Sequence, residues 1–211
     1  MNIAVVDSGV ANVGSVVNML KRIGVRAHAV DVPSALESAD AIILPGVGHF
    51  DAGMKHLRER GLVEALEDRV LGRRVPILGI CLGMQLLTRS SEEGAAAGLS
   101  WLDAETQRLD PGIASGLLVP HMGWNETIGS DEDLFGRFEG TPRFYYVHSY
   151  HVVCRAQSDV AAVCMYGTKV TAAVRHRNIF GCQFHPEKSH RYGMKFLEAF
   201  VGLASGAKCS A

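Results

Sequence analysis

Residues 76–85 read Pro76-Ile77-Leu78-Gly79-Ile80-Cys81-Leu82-Gly83-Met84-Gln85. The stretch opens as an apolar run of the kind that forms a buried strand. From Leu82 onward, the spacing of Leu82, Gln85, Leu86 and Leu87 turns helical. Between the two lies Gly79-Ile80-Cys81-Leu82-Gly83, one nucleophilic residue framed by glycines. A strand that turns sharply into a helix around a G-x-nucleophile-x-G core is a nucleophile elbow. Its glycines allow tight packing at the turn, and its nucleophile occupies strained φ/ψ space. Cysteine stands here where serine is the more familiar occupant. Cys81 is thereby placed at the carboxyl end of a strand and the amino end of a helix, where free N–H groups and the macrodipole favour a thiolate. The competing reading is a buried structural cysteine, the commoner fate of a free thiol.

Upstream of the elbow, strands alternate with helices. Strands are expected at 2–7, 25–30, 41–44 and 75–80. A helix is expected at 13–23, where Val13, Val16, Val17, Leu20 and Ile23 share a face and Gly24 sits as the C-cap glycine. Another is expected at 33–39 with Pro33 near its start, and a third at 51–72, broken at Gly61. This alternation argues for a parallel sheet covered on both faces. Downstream the character changes. Residues 99–128 are short-patterned and turn-rich. Residues 144–153, 160–165, 170–175 and 179–184 read as strands with few helices between, 175–178 as a hairpin turn, and 192–203 as a closing helix. The expectation is an α/β fold, with a mostly parallel central sheet, flanking helices and an antiparallel portion in the C-terminal half. Residues 1–204 form one domain, and 205–211 are expected to fray.

The 211 residues suffice for one domain with a real core, and 47% hydrophobic against 20% charged residues is a globular profile. A net charge of -1 offers no basic field for nucleic acid or for a membrane surface. The first residues, Met1-Asn2-Ile3-Ala4-Val5-Val6-Asp7, lack the basic start of a signal peptide. The five cysteines are odd in number and include no C-x-x-C, so neither a disulfide framework nor a zinc site is expected, and the protein reads as reduced and cytoplasmic. His121, His148, His151 and His190 lack the cysteine pairs or carboxylate cluster that a metal reading requires, so no metal and no cofactor is expected.

A cysteine nucleophile needs a base, and the base needs an orienting group. The candidates lie at the end of the last strand, in Gly181-Cys182-Gln183-Phe184-His185-Pro186-Glu187-Lys188-Ser189. His185 precedes a proline and is held extended, so the side chains of His185 and Glu187 leave one face. A carboxylate beside an imidazole fixes its tautomer and stabilises its cation. Acyl transfer also needs N–H donors aimed at the oxyanion. One is the N–H of Leu82, after the nucleophile; a neighbouring strand–helix loop supplies another, and Pro45-Gly46-Val47-Gly48 fits that place. A phosphate loop is the alternative there, but the loop has no basic residue and no G-x-x-x-x-G-K-[ST].

Together, Gly79 to Gln85 and His185-Pro186-Glu187 resemble the class I (triad) glutamine amidotransferases, whose fold is flavodoxin-like. Pro45-Gly46-Val47-Gly48-His49-Phe50, Pro120-His121-Met122-Gly123-Trp124-Asn125, the run from Tyr145 to Tyr150, and His185-Pro186-Glu187-Lys188-Ser189 further resemble the glutaminase subunits of imidazole glycerol phosphate synthase. These blocks span nearly the whole chain. The resemblance implies that Cys81 attacks the glutamine amide, His185 moves the proton and Glu187 orients His185. It implies that Val47, Gly48 and Leu82 serve the oxyanion, and that Gly48, Gln85, Glu93, Ser149 and Tyr150 hold glutamine, the last two through backbone groups. It implies that ammonia passes to a (β/α)-barrel cyclase partner in histidine biosynthesis, with Asn12, Trp124 and Lys188 facing that partner.

Bland alternatives stand beside these roles. Gln85 and Glu93 could form a solvated helix face, and Trp124 could be a core aromatic. The sequence also departs from the family pattern. The first turn, Ser8-Gly9-Val10-Ala11-Asn12, carries Ala11 where glycine is usual, and His190 follows Ser189. The second feature is shared with paralogues serving surface-polysaccharide sugar biosynthesis, which leaves two acceptors open. A catalytically silent subunit is a third reading, against which the complete Cys81, His185, Glu187 set argues.

Overall fold

The structure is a computed structural model of the 211-residue chain and describes every residue except Ser8, Val10 and 207–211. Twelve strands follow in chain order: β1 Asn2–Val6, β2 Arg26–Val30, β3 Ala41–Gly46, β4 Ile77–Cys81, β5 Ala104–Arg108, β6 His121–Glu126, β7 Ile128–Gly129, β8 Arg143–His148, β9 Tyr150–Cys154, β10 Val160–Tyr166, β11 Thr168–His176 and β12 Ile179–Cys182. The α-helices are α1 Val13–Arg22, α2 Phe50–Glu59, α3 Leu62–Glu67, α4 Leu82–Leu86, α5 Glu132–Phe135 and α6 His190–Gly206.

Eight strands make the central sheet in the order β2-β1-β3-β4-β12-β11-β10-β7. The first five run parallel, and β11, β10 and β7 extend the sheet antiparallel. This is the expected α/β architecture. The inner parallel strands β1, β3, β4 and β12 are almost wholly apolar because both their faces are covered, whereas β2 at the edge carries Arg26 and His28. Ile3, Val5 and Ile43 enter the core that contains α1 and α6 residues, while Ala4, Val6, Ile42 and Leu44 enter the core under α2 and α3. Adjacent residues of a strand point to opposite faces, so each strand feeds both cores.

Local signals behave as expected around the sheet. Gly24, at φ 78°, ends α1, and Gly61, at φ 64°, separates α2 from α3. A two-residue turn at Arg177 and Asn178 joins β11 to β12, whose last pair is His176 with Ile179.

The antiparallel half departs from expectation. Residues 144–153 are two strands: β8 pairs with β6, and β9 pairs with β5, each in its own two-stranded sheet. The run contains no glycine or proline to mark the break, and the chain changes sheets at Ser149 because separate partners claim its two ends. Two further strands, β5 and β6, lie inside the segment expected to be only turn-rich. The closing helix continues through Ser205 and Gly206, two residues into the expected frayed tail, and Ser205 Oγ donates to the Val201 carbonyl at 2.9 Å. The remainder of that tail lies outside the described residues, as do Ser8 and Val10 of the first turn.

Candidate active site

The parallel sheet brings the ends of β3, β4 and β12 side by side. Gly46 pairs with Cys81, and Cys182 pairs with Ile80, so the register carries Gln183 alongside Cys81. Carboxyl ends of neighbouring strands are where open α/β sheets assemble sites. Cys81 takes φ 54° and ψ −112°, the strained conformation of an elbow. Its glycines are dictated by contact. A Cβ on Gly79 would lie 2.7 Å from the Gly83 carbonyl oxygen and from Met84, and one on Gly83 would overlap the Leu44 carbonyl. The helix that follows is only 5 residues long, so the macrodipole expected to favour a thiolate is slight.

His185 and Glu187 meet as expected, with Nδ1 and Oε1 2.7 Å apart and side chains only 2% and 4% exposed. The imidazole is held by its backbone. His185 N–H donates to the Tyr145 carbonyl at 2.9 Å, and Ser189 Oγ donates to the His185 carbonyl at 2.6 Å while accepting the Tyr145 N–H at 3.0 Å. The ring's other nitrogen, Nε2, is buried without a hydrogen-bond partner, as is Glu187 Oε2. Such orphaned atoms are rare in folded proteins and mark groups kept for another partner. Burial works against a charge on His185, but the Cys81 thiol and the Glu187 carboxylate outweigh it and raise the imidazole to about 9. With Nδ1 committed to Glu187, the proton available for transfer sits on Nε2.

A cavity of about 300 Å³ opens over Cys81 and is lined by Val47, Gly48, Leu82, Gln85, Glu93, Ser149, Tyr150 and His185. Every residue expected to serve the oxyanion or hold a ligand therefore borders one space. Gly48, at φ 94°, has the positive φ that only glycine adopts without strain. Neither Gln85 nor Glu93 is on a solvated helix face: Gln85 is buried, and Glu93 lies in a turn where its Oε2 accepts the Phe50 N–H at 2.8 Å. Both donors of Gln85 are used internally, by the Tyr150 carbonyl at 3.0 Å and Gln183 Oε1 at 3.1 Å, which leaves its own oxygen for a ligand. The carbonyls of Ser149 and Tyr150 are already engaged, by the Leu109 N–H and by Gln85.

The three residues expected to face a partner are all exposed. Trp124 is 40% exposed, which rules out the core-aromatic alternative, and it stacks on His190 with rings 5.6 Å apart and nearly parallel at 6°. Lys188 Nζ lies 5.6 Å over the Tyr145 ring, which meets Trp124 edge-on. Asn12 also has a structural role, because its Oδ1 caps α1 by accepting the Ser15 N–H at 3.3 Å.

Sequence reasoning missed four residues at the site. Pro120, Val147 and His148 line the cavity from the antiparallel half, and Gln183 donates to Cys81 Sγ at 3.6 Å. His121 and His148, considered above as metal ligands, instead bond to each other at 2.9 Å. Burial pushes His121 down to about 4 and His148 down to about 3. A buried polar residue inside an apolar strand, such as Gln183 in 179–184, was the available signal.

A family model for class-I glutamine amidotransferases matches residues 4–202. The chain is 47% identical over 202 residues to the imidazole glycerol phosphate synthase subunit HisH 2 of Pseudomonas aeruginosa, covering 95% of this chain and 99% of that one. It is 44% identical over 203 residues to the subunit HisH 2 of Methanococcus maripaludis, covering 96% and 100%. Among solved structures, a glutamine amidotransferase superposes with a TM-score of 0.73 at 22% identity, covering 96% of this chain and 98% of the other. PurLQS from Thermotoga maritima does so with a TM-score of 0.74 at 18% identity, with the same coverage. The chain belongs to the class-I glutamine amidotransferase family.

Proposed function

We propose that this chain is the glutaminase subunit of an imidazole glycerol phosphate synthase. His185 Nε2 takes the proton of the Cys81 thiol, and Sγ attacks the side-chain amide carbon of glutamine, the negative charge gathering on the amide oxygen beside Leu82 N–H and the Val47–Gly48 loop. The C–N bond breaks, His185 Nε2–H protonates the departing nitrogen, and ammonia leaves a glutamyl thioester on Cys81. His185, now neutral, takes a proton from water as the water attacks; glutamate leaves and the sulfur is restored. Glu187 holds His185 in the tautomer that makes these transfers possible. Gln85, Glu93, Ser149 and Tyr150 orient the substrate. The observation that carries this reading is the orphaned Nε2 of His185 beside a strained Cys81 at the floor of one cavity.

In this reading, ammonia passes to a (β/α)-barrel cyclase docked on the face that carries Asn12, Trp124 and Lys188, for histidine biosynthesis in the cytoplasm. Hydrolysis without an acceptor wastes glutamine, so the isolated chain rests nearly inactive. The Val47–Gly48 peptide, with glycines on both sides of Val47, is free to turn its N–H toward the oxyanion when the partner is loaded. The test is product formation with the barrel partner. Cys81→Ser abolishes glutamine-dependent synthesis of imidazole glycerol phosphate and leaves synthesis from added ammonium salt intact. Near-normal glutamine use by Cys81→Ser refutes the assignment.

A second reading has its own observation. His190, at φ 47°, stacks on Trp124 within the proposed docking face, so the departure from the family pattern lies where partner choice is made. It favours the paralogous glutaminase that feeds a cyclase-like partner in surface-polysaccharide sugar biosynthesis. Failure to activate with the histidine-pathway barrel, together with activation by the paralogous one, selects it. Absence of glutamine hydrolysis with either partner selects the silent subunit.

A further inference from the structure

Gln183 is fully buried, two residues before His185, and its amide reaches toward Cys81 rather than toward the imidazole. Which end of an amide faces a neighbour is fixed by the surrounding network. Here the network leaves one orientation. The Tyr150 carbonyl can only accept, so Gln85 presents Nε2 to it at 3.0 Å. The same Nε2 lies 3.1 Å from the Gln183 amide, which must therefore meet it with Oε1 and turn its own Nε2 to Cys81 Sγ, 3.6 Å away.

The anchor of this orientation lies in the antiparallel half. The Tyr150 carbonyl also accepts from His148 Nδ1 at 2.9 Å, so His148 carries its proton on Nδ1 and accepts on Nε2 from His121 Nδ1 at 2.9 Å. His121 in turn accepts from Asn125 at 3.2 Å, and Asn125 also donates to the Met165 carbonyl at 2.9 Å. Both rings are buried and neutral, so each has one donor and one acceptor, and both are used.

Beside His185, the sulfur also meets the Val147 carbonyl, 4.0 Å away, which suits a protonated thiol. Gln183 offers the sulfur an N–H besides that of His185, and an N–H suits a charged sulfur. We propose that Gln183 is a positioning residue for glutamine hydrolysis: its amide N–H, held toward Cys81 by Gln85 and the Tyr150 carbonyl, stabilises the sulfur in its charged, attacking form. This rests on the reading of Cys81 as the nucleophile.

The test is the pH profile of Cys81 alkylation by iodoacetamide, located by peptide mapping, together with kcat and KM for glutamine in the complex with the barrel partner. The titratable groups that face the sulfur are His185, His148, Cys182 and, across the cavity, Glu93. All four are unchanged in the variants. Gln183→Met keeps the length of the side chain and removes the donor. It moves the alkylation profile to higher pH and lowers the rate at neutral pH roughly ten- to hundredfold, the worth of one hydrogen bond to a charged group. The loss in kcat is similar and KM is nearly unchanged. Gln85→Met leaves Gln183 in place and removes the donor that holds its Oε1, without adding a charge; it moves the profile in the same direction by a smaller amount. A wild-type alkylation profile in either variant overturns the proposal, including a variant that is merely less stable. Preferential alkylation of Cys154, Cys164 or Cys182 over Cys81 in the unmodified chain overturns the nucleophile assignment itself.

Discussion

Two regions of this molecule bury histidines, and they do so in opposite ways. At the end of the parallel sheet, His185 sits beside a carboxylate and a thiol, and is raised to about 9. In the antiparallel half, His121 and His148 have each other, Asn125 and a carbonyl, and are pushed down to about 4 and about 3. Burial disfavours the charged ring in both places. What differs is the neighbour. Charged or ionisable partners make an imidazole that holds a proton, whereas neutral partners make one that serves as a directional hydrogen-bond link. The first kind belongs to chemistry, the second to the wall that shapes the space where chemistry happens.

The contrast can be broken most severely at His185. His185→Ala lowers glutamine hydrolysis roughly 10⁴-fold or more, because the members of the proposed triad act as a unit. Glu187→Gln costs about a hundredfold less, since it orients rather than transfers. It also moves the His185 titration, followed by NMR, down from about 9, because one of the two groups that raise it is gone. A Glu187→Gln enzyme weaker than His185→Ala reverses the roles.

Gly48→Pro removes one N–H from the proposed oxyanion loop and also cannot keep the positive φ of Gly48, so it lowers partner-activated kcat by ~10²–10³ or more. An effect confined to KM is incompatible with an oxyanion role. Gly83→Ala acts on stability instead. The added methyl meets the Leu44 carbonyl, so chemical denaturation detects a loss of about 1–3 kcal/mol or more. Unchanged stability would mean that the contact between elbow and β3 is looser than described.

The smallest effect sharpens the comparison by its sign. For His121 and His148, the unfolded chain binds protons below about pH 6.5 while the folded chain does not, so their contribution is present above that pH and is lost as pH falls toward about 4 and about 3. For His185 the order is inverted: its contribution is present below about pH 6.5 and is lost as pH rises through about 9. Denaturation midpoints between pH 4 and 9 should fall at both ends. His121→Gln should soften the acid limb and leave the alkaline limb unchanged.

The same two regions differ in how readily they are read from sequence. The elbow is legible because its constraints are local: Gly79 and Gly83 are forced by atoms a few residues away or on the next strand, and His185 is set extended by Pro186. The lip of the cavity is not. Val147, His148 and Tyr150 reach the site because β8 and β9 pair with different strands, and the run 144–153 carries no residue that announces the division. Gln183 lies between. Its burial in an apolar run was a visible anomaly, but its target depends on the register that sets β12 beside β4.

The most direct test uses the diazoketone analogue of glutamine, which alkylates the residue that attacks the amide position. In the activated complex it should label this chain once, on Cys81, with loss of glutamine hydrolysis in step with labelling; His185→Ala should label far more slowly. Labelling of another cysteine, or full glutaminase activity in a chain modified at Cys81, would contradict the account.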